Sequence, residues 1–185
     1  MSEQLPIPNL PESMQYHWQR LQAGPFAEQP ITLLHLGERQ TLLICRGVGE
    51  ELTMIVVPIG TAELNERYFT PRSTPASLET AIMAVEDAIA PARSPLLLAS
   101  QLYCADSLAH HITLAAGFSP NRDEEAQSLS SDAVEQLFQR YCQFVEGGAP
   151  LQSGWPDATP VALLILRELM HHLAFPKLFL LPSQP

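Results

Sequence analysis

The sequence predicts an α/β protein built on one mixed, five-stranded sheet with helices on its faces, in the order β-β-β-α-β-α-α-α-β. Three observations carry that expectation. Residues 31–59 hold short apolar runs separated only by turns, the pattern of a strand meander. From residue 74 onward the apolar period changes to a helical one, and helical stretches alternate with short apolar runs. The pattern occurs once in 185 residues, a length that fits a single full core.

The elements follow in order. Residues 1–11 contain Pro6, Pro8 and Pro11 and read as an irregular arm. Met14, Trp18 and Leu21 recur at helical spacing over Glu12–Ala23, and Gly24-Pro25 stops that helix. Residues 1–30 are thus an arm with an amphipathic helix, and residues 31–182 form the domain. Ile31–Gly37 and Thr41–Cys45 are apolar strands joined by a tight turn, and Leu52–Ile59 follows the Gly47-Val48-Gly49 turn. Thr74-Pro75 places a cap and a first-turn proline before a helix marked by Leu78, Ala81, Ile82, Val85 and Ile89, which Pro91 ends. Pro95–Ser100 reads as a short strand and Ala105–Ala116 as a helix closed by Gly117. The polar stretch SPNRDEEAQ is a loop, and SLSSDAVEQLFQRYCQFVEGG is a capped helix. SGWPDATP is another loop. Val161–Leu173 is apolar nearly all round, hence buried, and Lys177–Leu181 is the last strand.

Composition narrows the functions. Hydrophobic residues make up 46% and charged residues 16%, which suits a globular chain. A formal net charge of −10 with no basic run disfavours a nucleic-acid partner, which needs a basic face, and an anionic membrane surface. No apolar run approaches the ~20 residues of a membrane helix, and no signal peptide is visible at the N-terminus. Cys45, Cys104 and Cys142 form no CxxC pair, Cys45 and Cys104 in apolar stretches read as buried reduced thiols, and a cytoplasmic setting is expected by default.

The element order is that of a ribonuclease-H-like domain, one half-unit of the actin, Hsp70 and sugar-kinase folds. Several segments then resemble the second such domain of the exopolyphosphatase and guanosine pentaphosphate phosphohydrolase family. VVPIGTAELNERYF is similar to that family's third strand and its exit turn, with Gly60 at the family glycine. STPASLETAIMAVEDAI is similar to its next helix, and LSSDAVEQLFQRYC with VALLILRELMHHLAFPKLFLLP to its last two helices and final strand. The resemblance runs in register from about Ile31 to Pro182.

The chemistry-bearing loops depart from the family pattern. The family hairpin reads Asp, an apolar residue, three glycines, then Ser-Thr-Glu. On this chain the Asp falls on His35, and only Gly37 and Thr41 match. Glu38 and Arg39 replace glycines, Gln40 the serine and Leu42 the glutamate. The second glycine-rich phosphate loop should fall in ASQLYCADS, between Ser100 and Ser107, which has no glycine. A phosphate cradle closes backbone N–H groups on the anion, and glycine permits this by lacking Cβ. Glu38 and Leu102-Tyr103 are expected to crowd that approach, and the acidic metal ligands of the hairpin are gone. The candidate ligand loops, in degenerate form, are therefore His35, Gly37, Glu38, Thr41, Gly60, Ser100 and Ser107. In the resembled fold the ligand lies between two half-units, and only one half-unit is recognisable here.

Other candidates are weaker. His35 at a strand end has the position of a general base, with Glu38 its only acidic neighbour in sequence. In His110-His111 and His171-His172 the adjacent rings point about 100° apart on a helix. Glu168 faces His172, but one carboxylate and one imidazole are too few ligands for zinc. These histidines are expected to edge packed helices, and the pairs Glu86-Asp87 and Asp123-Glu124-Glu125 to be solvated. The N-terminal helix should cover the sheet of its own chain or of a second copy. The leading expectation is a non-catalytic relic of a phosphohydrolase domain serving as a binding, regulatory or assembly protein. It would have no catalytic residues, cofactor or metal, and a protein partner, a homodimer first, in preference to a phosphorylated ligand. The alternative is a phosphohydrolase or nucleotide- or polyphosphate-binding subunit completed by a partner chain. An unrelated α/β enzyme using His35 or the C-terminal histidines is the third reading.

Overall fold

A computed structural model describes residues 10–23, 29–47, 52–93, 100–118, 127–148, 150, 155–156 and 158–182. Its elements are α1 (Glu12–Ala23), β1 (Ile31–Leu36), β2 (Thr41–Arg46), β3 (Leu52–Val57), α2 (Thr61–Leu64), α3 (Pro75–Ile89), β4 (Gln101–Cys104), α4 (Ser107–Ala115), β5 (Gln127–Ser130), α5 (Ser131–Val145), α6 (Thr159–His172) and β6 (Lys177–Leu180). The strands form one mixed sheet in the order β3-β2-β1-β4-β6-β5. β1, β4 and β6 run parallel, while β2, β3 and β5 pair antiparallel to their neighbours. The mixed α/β architecture is thus as expected, with six strands rather than five.

Three differences have physical causes. A strand before α4 runs Gln101–Cys104, where the sequence pattern predicts none; of the strand expected at Pro95–Ser100, positions 95–99 lie outside the described residues, and Ser100 precedes β4. Leu102, Tyr103 and Cys104 are fully buried because this strand sits between β1 and β6 with both faces covered. They are therefore sheet core and crowd no loop. β5, in the polar run QSLS, is held by pairing with β6, a force that hydrophobic periodicity does not report. α2 and the π-helical turn that continues it over Asn65–Phe69 lie where the sequence pattern predicts no element. The expected turn at 47–49 and loop at 119–127 lie largely outside the described residues; of the loop expected at 153–160, positions 153, 154 and 157 do, and Thr159-Pro160 belong to α6.

Two cores flank the sheet. On one face Leu34, Leu36, Leu43, Cys45, Leu102 and Cys104 pack against α3, α4, α5 and the nearly all-buried α6. On the other, Leu10, Met14, Trp18 and Leu21 of the α1 region cover Ile31, Leu33, Leu42, Ile44, Tyr103 and Leu181. α1 therefore covers its own sheet. Helix ends are closed as the sequence signals: Thr74 and Ser77 form a reciprocal capping box at α3, and Ser130 accepts from Ala133 N–H at α5. Gly117 and Gly147, both with φ of 91°, close α4 and α5 in the left-handed conformation. Among the described residues, no helix is long and apolar enough to cross a membrane.

Candidate functional site

The parallel strands β1, β4 and β6 end together, and ligands of open α/β sheets bind outside such carboxyl ends. At this end β1 presents His35 and runs into the Gly37–Gln40 turn, while β4 runs into Ala105-Asp106 and α4. Asp106 occupies the cap position of α4, yet its carboxylate does not cap that helix. It reaches instead across to β1. Leu36 N–H donates to Asp106 Oδ2 at 2.6 Å, and His35 Nδ1 lies 2.9 Å from Oδ1. An ionised carboxylate only accepts, so the ring proton of His35 sits on Nδ1. Cys104 Sγ adds a long contact to Oδ2 at 3.5 Å.

The electrostatics follow from these contacts. The Asp106 hydrogen bond holds the His35 pKa above its ordinary value of 6.5, against burial, which pulls it down. His17 of α1, buried beside this end of the sheet, is pushed the other way, first by burial and then by the Arg20 charge. Burial raises the Cys45 thiol to about 11 and the Cys104 thiol well above its usual range, so both stay protonated. His110 Nε2 donates to the Leu181 carbonyl at 3.0 Å, tying α4 to the end of β6. Between α1 and the sheet, a cavity of about 30 Å³ is lined by Ser13, Met14, His17, Leu33, Leu34, Ala105 and Asp106. It has room for one or two water molecules.

The hairpin turn is docked onto α2. Thr61 N–H donates to the Gly37 carbonyl and Ala62 N–H to the Glu38 carbonyl, both at 2.9 Å. Gly60 makes this docking fit: a Cβ there would lie 2.4 Å from main-chain atoms of Glu38 and Arg39. Gly37 is similarly close to the Gln40 carbonyl, and His35 Nε2 lies beside it. Thr41 is buried and donates its hydroxyl to the Ile59 carbonyl, while the side chains of Glu38, Arg39 and Gln40 are exposed.

The sequence-predicted residues divide accordingly. His35, Gly37, Glu38, Thr41 and Gly60 come together around the hairpin. Ser107 is exposed in the first turn of α4, next to Asp106. Ser100 lies at the opposite end of β4, where its hydroxyl is 2.6 Å from that of Thr32. The two serines therefore do not bracket one loop; that loop is Ala105-Asp106 alone. Asp106 is the residue that sequence reasoning misses. Its visible signal, an acidic residue immediately before Ser107 and a helix, reads as a cap, and nothing local tells that it meets a strand some seventy positions away. Sequence offers Glu38 as the acidic neighbour of His35, and in the fold Asp106 takes that place.

One imidazole and one carboxylate at His35 and Asp106 are too few to hold a cation. A wider groove of about 550 Å³ lies elsewhere, between the start of α5 and the end of α6; its Arg167 is paired with Glu135 and Glu168.

No protein-family model and no curated protein matches the chain. Solved structures do. One described as the Aquifex aeolicus member of the Ppx/GppA protein family matches with a TM-score of 0.70 at 12% identity, covering 93% of this chain and 58% of that one. A structure described as an exopolyphosphatase-like protein gives 0.65 at 14% identity, over 83% and 56%. An exopolyphosphatase from Cytophaga hutchinsonii gives 0.55 at 13% identity, over 89% and 57%. The chain thus spans rather more than half of these structures' length, and what it shares with them is the fold.

Proposed function

We propose, from the fold shared with the Ppx/GppA structures as premise, that this chain is a non-catalytic relative that acts by binding or regulating another protein. One observation supports the reading above others. The strand end where an anion would meet bare main chain is served by the protein's own carboxylate: Asp106 accepts from Leu36 N–H and holds His35. An incoming phosphoryl group would have to displace that carboxylate and overcome its charge. The turn behind it is also fixed in place, because Thr61 and Ala62 of α2 donate to the carbonyls of Gly37 and Glu38. The partner we propose first is a second copy of the chain, and the setting is cytoplasmic, in keeping with free thiols at Cys45, Cys104 and Cys142.

The test is direct. The purified chain, mixed with Mg²⁺ and polyphosphate or guanosine pentaphosphate, is expected to release no phosphate. ATP and polyphosphate are expected to leave its melting temperature unchanged, since a ligand of the native state raises it. Phosphate release, or a dose-dependent rise in melting temperature, would overturn the reading.

A second reading has its own observation. His35 is an imidazole oriented by a carboxylate, with Nε2 beside the Gly37 turn, and this is the arrangement of a general base. It favours a phosphohydrolase or nucleotide-binding subunit that a partner chain completes. Activity that arises on adding such a partner and is lost in His35→Ala would establish it.

A further inference from the structure

The α6 sequence pairs one carboxylate with one imidazole, and the fold adds a third donor from α3. Glu168 and His172 stand one turn apart on α6, and Glu86 faces them across the α3–α6 contact. We propose that Glu86, Glu168 and His172 form a binding site for a first-row divalent cation of the zinc type.

The distances argue for a shared ion over a hydrogen-bond network. His172 Nε2 lies 3.5 Å from Glu86 Oε1 and 3.5 Å from Glu168 Oε2, and the three donor atoms are all within 4.8 Å of one another. An N–H···O bond spans about 2.7–3.2 Å, so these contacts are too long. Ligand atoms about 2.1 Å from a tetrahedral ion stand roughly 3.4 Å apart, which matches both distances from His172. His172 Nε2 is also sealed from solvent and has no hydrogen-bond partner. A buried ring nitrogen that faces two carboxylates without a hydrogen bond has the setting of a cation ligand.

The surroundings prepare the ligands. Glu168 is only 1% exposed, and Arg167 holds its Oε1, leaving Oε2 to face His172. Arg167 is in turn fixed by Glu135 at 2.6 Å. This is the outer-shell support that orients ligating carboxylates. Glu86 is partly exposed and gives the ion a way in. One imidazole with two carboxylates suits Zn²⁺ or Co²⁺ better than Mg²⁺ or Ca²⁺, which take oxygen ligands, and three protein donors leave a fourth position for water. His171, whose ring stands at 85° to that of His172, points away into the α5–α6 groove.

One residue opposes the ion, and that sharpens the test. The exposed Arg93 guanidinium donates to His172 Nδ1 at 3.1 Å, so without a cation the ring proton sits on Nε2. Loading gives the Nε2 lone pair to the cation, moves the ring proton to Nδ1 and displaces Arg93, with no net change in protons on the ring. Removing the Arg93 side chain should therefore tighten binding.

The full chain, freed of metal with a chelator, is titrated with Co²⁺ and then Zn²⁺, followed by calorimetry and by the visible absorption of four-coordinate Co²⁺. The expected result is one equivalent bound, with affinity lowered at least about tenfold in Glu86→Gln and in His172→Ala and raised in Arg93→Ala. Circular dichroism confirms that each variant is folded. Should His172→Ala fail to fold, Glu86→Gln at its partly exposed position decides between a site and none. No stoichiometric binding by the natural chain, or unchanged affinity in a folded Glu86→Gln variant, would overturn the site.

Discussion

Asp106 shows how much one side chain can decide. It joins the ends of β1 and β4, fixes the tautomer of His35 and accepts from the Leu36 amide at the strand end. Hydrogen bonds to a charged group contribute about 1.5–3 kcal/mol, so Asp106→Ala should lower the unfolding free energy by roughly 2 kcal/mol in urea denaturation. The pH dependence has a definite sign. His35 binds its proton more tightly in the folded chain than in the unfolded one, so its contribution is complete below its ordinary value of 6.5. That contribution fades as pH rises through the higher folded value. In NMR titration His35 should titrate above 6.5 and return toward it in Asp106→Asn; an unshifted natural His35 would mean that the pair does not form in solution. Sequence places His35 at a strand end but hides its partner, because the pairing depends on the parallel register of β1 and β4.

At the scale of elements, the hairpin turn and α2 approach closely at Gly60. Gly60 has ordinary extended backbone angles, so glycine is required by close approach and not by conformation. A methyl group there meets main-chain atoms at 2.4 Å, and main chain cannot rotate aside as a side chain can. Gly60→Ala should therefore cost at least about 2 kcal/mol in urea denaturation and loosen the Gly37–Gln40 turn. A variant as stable as the natural chain would show that the turn moves freely. The elements legible in sequence are those with a strong period or a clear cap, such as α1, α3 and α5. β4 is missed because an apolar run at 95–99 stands just before it in the sequence, and β5 is hidden because its residues are polar and only their partner strand makes them a strand.

The whole molecule leaves one sheet face uneven. α1 covers β1 and β2, but Leu52, Met54 and Val56 of the edge strand β3 project from that same face and remain exposed. An apolar edge strand is a template for another chain. The proposed second copy docked along β3 predicts a mass near twice 20.4 kDa by light scattering at micromolar concentration, and a single-chain mass for Met54→Lys. A single-chain mass for the natural protein would end that proposal.

The α/β class, the strand meander, most of the helices and their capped ends are legible in the chain alone, since they arise from periodicity and from groups a few residues apart. So is the hairpin's lack of the glycines and acidic residues of a phosphate cradle. What stands there in their place is settled only by the fold, because Asp106 meets His35, and Glu86 meets His172, through strand register and helix packing between distant segments. Contacts of that kind are set by the three-dimensional path of the chain and leave no mark on local spacing.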